Sequence, residues 1–154
     1  MKILISTGIY PPDIGGPAQY ARNLYETWKK QGHDVKVAAY RWERAFPTFV
    51  RHILFFIKIF RKGWNADLII VLDTWSAAVP TMYACALMRK KYIIRTGGDF
   101  LWESYTERTG DLVLLKDFYT TSMNKLSKKE KLIYKLGGDT LRKAALVIYS
   151  RSEE

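Results

Sequence analysis

The 154-residue chain carries 25 Lys and Arg against 15 Asp and Glu, a net charge of +10, and is 48% hydrophobic and 14% aromatic. That balance excludes a disordered chain and allows one domain, residues 1–154, with a real core. Its single cysteine, Cys85, excludes an internal disulfide framework and a cysteine-rich zinc site, and no apolar run reaches the roughly 18 residues that a membrane span needs.

In chain order, residues 2–7, 35–40, 68–72, 92–96 and 146–150 read as five strands. Most are continuously apolar, as expected when both faces of a sheet are covered. Helical patterns lie between them at about 17–31, 48–62, 77–89 and 127–144. The alternation predicts an α/β fold, a Rossmann-like open parallel sheet with helices on both faces. In the first helix Gly16 is placed as N-cap and Pro17 at the first helical position, with Ala18, Ala21, Leu24, Tyr25 and Trp28 facing inward. Ser127 and Glu130 have capping-box spacing. Gly137-Gly138 is expected to break the last helical region, with Asp139 capping a second short helix, and residues 97–126 read as the least regular stretch. Lys2 followed only by Ile-Leu-Ile-Ser makes no secretory signal, so the expected location is the cytoplasm.

The first strand opens into GIYPPDIGGPAQY, residues 8–20. Gly15-Gly16 removes two side chains just before a helix N-terminus, where free amides and the helix dipole favour an anion. A phosphate or diphosphate is the expected guest, set against a loop that needs glycine for its backbone angles alone. The pattern is neither a dinucleotide fingerprint nor a P-loop. Arg41 follows the second strand where an NAD-binding fold would carry an acid, which leaves an NADP-binding module as an alternative.

Charge is concentrated in two stretches. Residues 41–62 hold six Lys/Arg and one Glu, residues 116–143 hold eight Lys/Arg and three acids, and the rest sums to zero. On a helical wheel of 48–62, Phe49, Val50, Ile53, Leu54, Ile57 and Phe60 form the arc expected to cover the sheet. Arg51, Lys58 and Lys62 fall opposite, with Phe55 and Ile59 beside them, a combination suited to an anionic membrane surface. An ordinary solvated face is the competing reading, and no nucleic-acid-binding motif accompanies the charge. His33 and His52 are too far apart in the pattern to suggest a metal site, and Cys85 sits among small apolar residues as a core filler.

Three motifs in order carry a resemblance. Pro11-Pro12-x-x-Gly15-Gly16 with Gln31-Gly32-His33-Asp34-Val35 resembles the opening of family 4 glycosyltransferases of the two-domain GT-B fold. Asp67, Asp73, Ser76 and Ala77, and then Arg95, Gly98, Asp99, Trp102 and Glu103, are similar to two further motifs of a bacterial subgroup. The resemblance covers nearly the whole chain and matches the N-terminal, acceptor-side half. The Glu-x7-Glu pair of the donor-binding C-terminal domain is missing from it. It implies transfer of a sugar, with retention and without a metal or other cofactor, from a nucleotide-diphosphate sugar to a saccharide or lipid-linked acceptor, with the second domain as partner. It also implies that Gly15 and Gly16 face the donor diphosphate and that Asp99, aimed by Gly97-Gly98, orients the acceptor hydroxyl. Asp73, Thr74, Arg95, Trp102 and Glu103 would line the acceptor site, with Arg95 pairing Asp73 or Asp99. Each has a plainer reading: Asp99 as a helix or turn cap, Trp102 packed beneath an irregular segment, Asp73 as a helix-entry cap, Arg95 in a structural ion pair. A non-catalytic membrane-surface domain is the remaining alternative.

Overall fold

A computed structural model describes residues 1–149. Five strands, β1 (Lys2–Thr7), β2 (Asp34–Ala39), β3 (Leu68–Val71), β4 (Ile93–Thr96) and β5 (Leu146–Tyr149), form one all-parallel sheet in the order β2-β1-β3-β4-β5. β1 lies between β2 and β3, with Ile5 opposite both Val37 and Ile70. The expected Rossmann-like α/β fold is therefore present, and the chain reverses direction across the sheet between β1 and β3. The expected strand end at Ser150 lies outside the described residues.

Strand periodicity sorts the core into two layers. Ile3, Ile5, Val35 and Ile70 meet α1 (Gly16–Lys30) through Ala21, Leu24 and Trp28, the inward stripe read from the sequence. Leu4, Ala38, Ile69, Val71 and Ile94 face the other way, onto α2 (Thr48–Gly63) and α3 (Ala78–Met88). Cys85 is part of that second layer, and burial pushes its thiol up to about 12.

α2 is rotated from its expected setting. Phe55 and Ile59 are completely buried, whereas Phe49, Val50, Ile53 and Ile57 are exposed. Three contacts fix the rotation. Phe55 stacks on Tyr40 at 4.1 Å. Gly63 brings the helix so close to the sheet that a Cβ there would meet Leu4, Ile69 and Met88 at 3.3 Å. Lys58 and Lys62 reach back to the carbonyls of Ala39 and Val37, at 3.0 and 2.7 Å, on the open edge of β2. Lys58 also pairs with buried Glu43. Each buried aromatic or aliphatic side chain contributes about 2 kcal/mol, and the lysines cover an edge strand. The sequence offers two apolar arcs on this helix, one through Phe49, Ile53 and Ile57 and one through Phe55 and Ile59, and those contacts decide between them.

The stretch between β4 and β5 is more regular than its sequence suggests. It contains α4 (Phe100–Thr109), α5 (Leu115–Thr121) and α6 (Lys128–Lys143), with a 3-10 turn at Met123–Lys125. Leu101, Tyr105, Phe118 and Ile133 bury one another in a satellite core with Trp75. The Ser127–Glu130 capping box opens α6 as expected, and Arg108 of α4 donates to both Glu130 oxygens at 2.8 and 2.9 Å. Gly137-Gly138 does not break α6, and Asp139 lies within the helix, where it pairs with Arg142.

Candidate functional site

The loops after β1, β2, β3 and β4 lie at one edge of the parallel sheet, its carboxyl edge, where open α/β folds take ligands. The loop after β1 is held by its neighbours. Arg44 clamps Asp13 with two hydrogen bonds of 2.8 and 2.6 Å and donates to the Gly8 carbonyl, while Arg41 donates to the Pro11 carbonyl at 3.0 Å. The guanidinium holds the Asp13 carboxyl down at about 2. Arg41, considered for an NADP phosphate, is thus engaged with the loop. Gly8 touches the β3 loop so closely that a Cβ would sit 2.8 Å from Ser76 Oγ.

The clamped loop delivers Gly15 as the N-cap of α1, one residue earlier than expected, at φ 146° and ψ 157°. Only glycine occupies that region readily. No side chain caps the helix, and Pro17 supplies no N–H, so the Gly16 and Ala18 amides remain without an intrahelical acceptor. Gly16 has nothing within 4 Å of where a Cβ would stand. It lines a cleft of about 450 Å³ together with Tyr20, Asp73, Thr74, Arg95 and Glu103. Five residues singled out in three separate motifs therefore meet in one recess.

Within that recess the roles differ. The Arg95 guanidinium lies 3.9 Å from the centre of the Tyr20 ring, a cation–π contact. It makes no ion pair with Asp73 or Asp99, contrary to the expected pairing, nor with any other acid among the described residues. Asp73 accepts from Ser76 Oγ at 2.6 Å and from the amides of Trp75, Ala77 and Ala78 at 3.0–3.1 Å. Burial lifts its carboxyl above the usual range against the pull of those bonds. Its oxygens are committed to the start of α3, which matches the helix-entry reading rather than a free acceptor-binding group. Glu103 is raised by burial and by the neighbouring Asp99 charge, and its Oε1 lies against Gly98, where a Cβ would come within 2.5 Å.

A second cleft of about 730 Å³ adjoins the first across the turn at 96–100 and Thr74. Asp99 lines it. One oxygen caps α4 by accepting from the Leu101 and Trp102 amides at 2.9 and 3.0 Å, and the other accepts a short hydrogen bond from the Tyr119 hydroxyl. One oxygen of Asp99 thus serves the helix cap, and the other is engaged by Tyr119 at the wall of the cleft. Trp75, Phe100, Tyr119 and Tyr134 give the cleft aromatic walls. Gly137 and Gly138 form its α6 side, with Gly137 3.6 Å from the Thr74 carbonyl measured from a built Cβ. Sequence reasoning missed Phe100, Tyr119 and Tyr134, which come from three elements that no local spacing connects. Trp102 is packed away: its indole donates to the Val113 carbonyl at 2.8 Å and its ring joins the satellite core.

The remaining motif residues are structural. Asp67 accepts from the Lys2 amide at 2.7 Å at the opposite edge of the sheet. His52 stands edge-on to Trp75, and burial beside Arg51 lowers it to about 4. Of the residues expected at a membrane surface, Phe55 and Ile59 are interior and Lys58 and Lys62 bind backbone, while Arg51 is half-buried and donates to Thr48 Oγ1 at 3.2 Å. No helix among the described residues is long and apolar enough to cross a membrane. Comparison of the chain with protein-family models finds no match, and a search of curated proteins finds none either.

Proposed function

We propose that this chain is the acceptor-side half of a retaining glycosyltransferase that uses a nucleotide-diphosphate sugar. The observation that carries the reading is the 450 Å³ cleft, lined by the uncapped N-terminus of α1 and by Arg95, whose guanidinium enters no ion pair among the described residues. Amides, a helix dipole and a cation lining one cleft stabilise charge that develops on a departing diphosphate. The sugar's bond to the diphosphate breaks, a bond to the acceptor oxygen forms on the same face, and the acceptor's proton passes to the departing phosphate oxygen. No cofactor is needed for that step.

The aromatic 730 Å³ cleft next to it suits a saccharide acceptor, since sugar rings stack on aromatic faces and expose hydroxyls to a carboxylate. Asp99, fixed by α4 and by Tyr119, orients the attacking hydroxyl between the two clefts. A second, donor-binding domain supplies the grip on the nucleotide, so this half alone binds weakly and does not turn over. Calorimetric titration with inorganic pyrophosphate, uridine diphosphate and NADP tests the reading. Pyrophosphate and uridine diphosphate should bind in the millimolar range, with affinity falling about tenfold in Arg95→Gln, equivalent to about 1.4 kcal/mol. Tighter binding of NADP, or pyrophosphate binding indifferent to Arg95→Gln, would reject it.

A further inference from the structure

The rotation of α2 leaves a surface that the clefts do not use. Phe49, Ile53 and Ile57 follow one another at i, i+4 and i+8 along its outer face, and Phe49 is 76% exposed. Exposed Trp42 stands beside this ridge, sharing a shallow groove of about 640 Å³ with Ile57 and Arg61, and exposed Trp64 closes the ridge at the end of the helix. Isolated exposed apolar residues are ordinary, but a continuous aromatic and aliphatic ridge along a whole helix is not.

The charge around the ridge is mostly positive, with exposed Asp34 the acid beside Lys36 and Lys62 at its β2 end. α2 contains no acidic residue, and the only acid in residues 41–62 is Glu43, which is buried and neutralised by Lys58. Arg61 and Lys36, which line the groove, enter no ion pair among the described residues. A partner must therefore be apolar along its centre and anionic around it. A 16-residue helix, roughly 24 Å long, with two tryptophans at its flanks and cations beside them, fits the headgroup boundary of a bilayer.

We propose that the outer face of α2 is a docking surface for an anionic lipid bilayer, with Phe49, Ile53, Ile57, Trp42 and Trp64 entering the headgroup boundary and Arg61 and Lys36 meeting lipid phosphates. This places the contact on the arc opposite to Phe55 and Ile59. It does not depend on the glycosyltransferase reading, because none of these residues lines either cleft.

Sedimentation of the 154-residue chain with vesicles provides the test. One set is phosphatidylcholine alone and the other phosphatidylcholine and phosphatidylglycerol in equal parts. The chain should partition at least about tenfold more strongly into the anionic vesicles, as expected when several cations each favour the surface. The double substitution Phe49→Ser and Ile53→Ser, and separately Arg61→Glu, should each reduce that partition about tenfold with the circular dichroism spectrum unchanged. Brominated lipid should quench the native chain more than a Trp42→Phe, Trp64→Phe variant. Equal partition into both vesicle types, or no response to either substitution, overturns the proposal. So does a concentration-dependent dimer in the absence of lipid that the double substitution abolishes, since the ridge would then belong to a second copy of the chain.

Discussion

Two of the three glycine pairs at the candidate site, Gly15-Gly16 and Gly137-Gly138, act in opposite ways. Gly15-Gly16 stands where a helix begins, and Gly15 adopts angles that other residues rarely reach. Gly137-Gly138 stands in the middle of α6, which runs through both without interruption. The first pair is a conformational requirement. The second is a volume requirement: α6 passes the Thr74 carbonyl and the aromatic cleft with no side chain in the way. The same dipeptide therefore signals strain in one place and space in the other, and only the surrounding contacts distinguish them.

Substitution to alanine at Gly15 is the strongest way to break this comparison. The φ of 146° is strained for any side chain, whatever room is available. Gly15→Ala should destabilise the chain by about 1–3 kcal/mol, read as a lower midpoint in urea, and should weaken pyrophosphate binding because the α1 amides shift. Unchanged stability would mean that the loop has a second conformation open to ordinary residues.

The placement of the second pair depends on how α6 is anchored, and there the expectation is pH-dependent. Glu130 is almost fully buried, and Arg108 together with the Ser127 amide holds its carboxyl at about 2. A depressed folded value contributes stability that is fully present above the unfolded value near 4.3 and is lost as pH falls toward 2. Because Arg108 is about half exposed, the discounted contribution is about 1–2 kcal/mol. Glu130→Gln should lower stability by that amount at neutral pH and flatten the acid limb between pH 4.3 and 2. An acid limb identical to that of the native chain would assign the sensitivity to other carboxylates, such as Asp13, which Arg44 also holds at about 2. The lowered value of His52 places its own loss of stability between about 6.5 and 4.

The sequence makes the sheet legible because continuous apolar runs need cover on both faces, and over the described residues each of the five runs is a strand to within a residue. Residues 97–126, read as the least regular stretch, were harder. α4 and α5 are short, and Leu101, Tyr105 and Phe118 are held by contacts among three helices rather than by a repeating stripe. Gly16 was legible because loops at one sheet edge must converge beside a helix N-terminus, whereas Asp73, Thr74, Arg95 and Glu103, which share its recess, were named through the motifs that carry the resemblance. Which of them keeps a free functional group was not legible. Asp73 spends its oxygens on four donors and Arg95 turns to Tyr20, and both outcomes depend on partners remote in sequence.

Within α6 the contrast predicts a gain. A methyl group at Gly137 would stand 3.6 Å from the Thr74 carbonyl, an ordinary contact, and at helical angles alanine is favoured over glycine by about 1 kcal/mol. Gly137→Ala should therefore raise the thermal midpoint by about 2–4 °C while narrowing the aromatic cleft. A fall in midpoint would show that α6 and the β3 loop approach too tightly even for one carbon.

Gly16→Ala has the smallest expected effect on stability and the sharpest meaning. The new methyl group meets nothing within 4 Å, and Gly16 is not among the glycines at positive φ. Stability should stay within about 0.5 kcal/mol of the native chain, as for other surface changes. The methyl group nevertheless enters the 450 Å³ cleft beside the free amides. If a diphosphate seats there, Gly16→Ala weakens pyrophosphate binding while Gly15→Ala weakens both binding and folding. If Gly16→Ala leaves the titration unchanged, the second glycine of the pair serves neither conformation nor ligand, and the diphosphate contact must move to Arg95 alone.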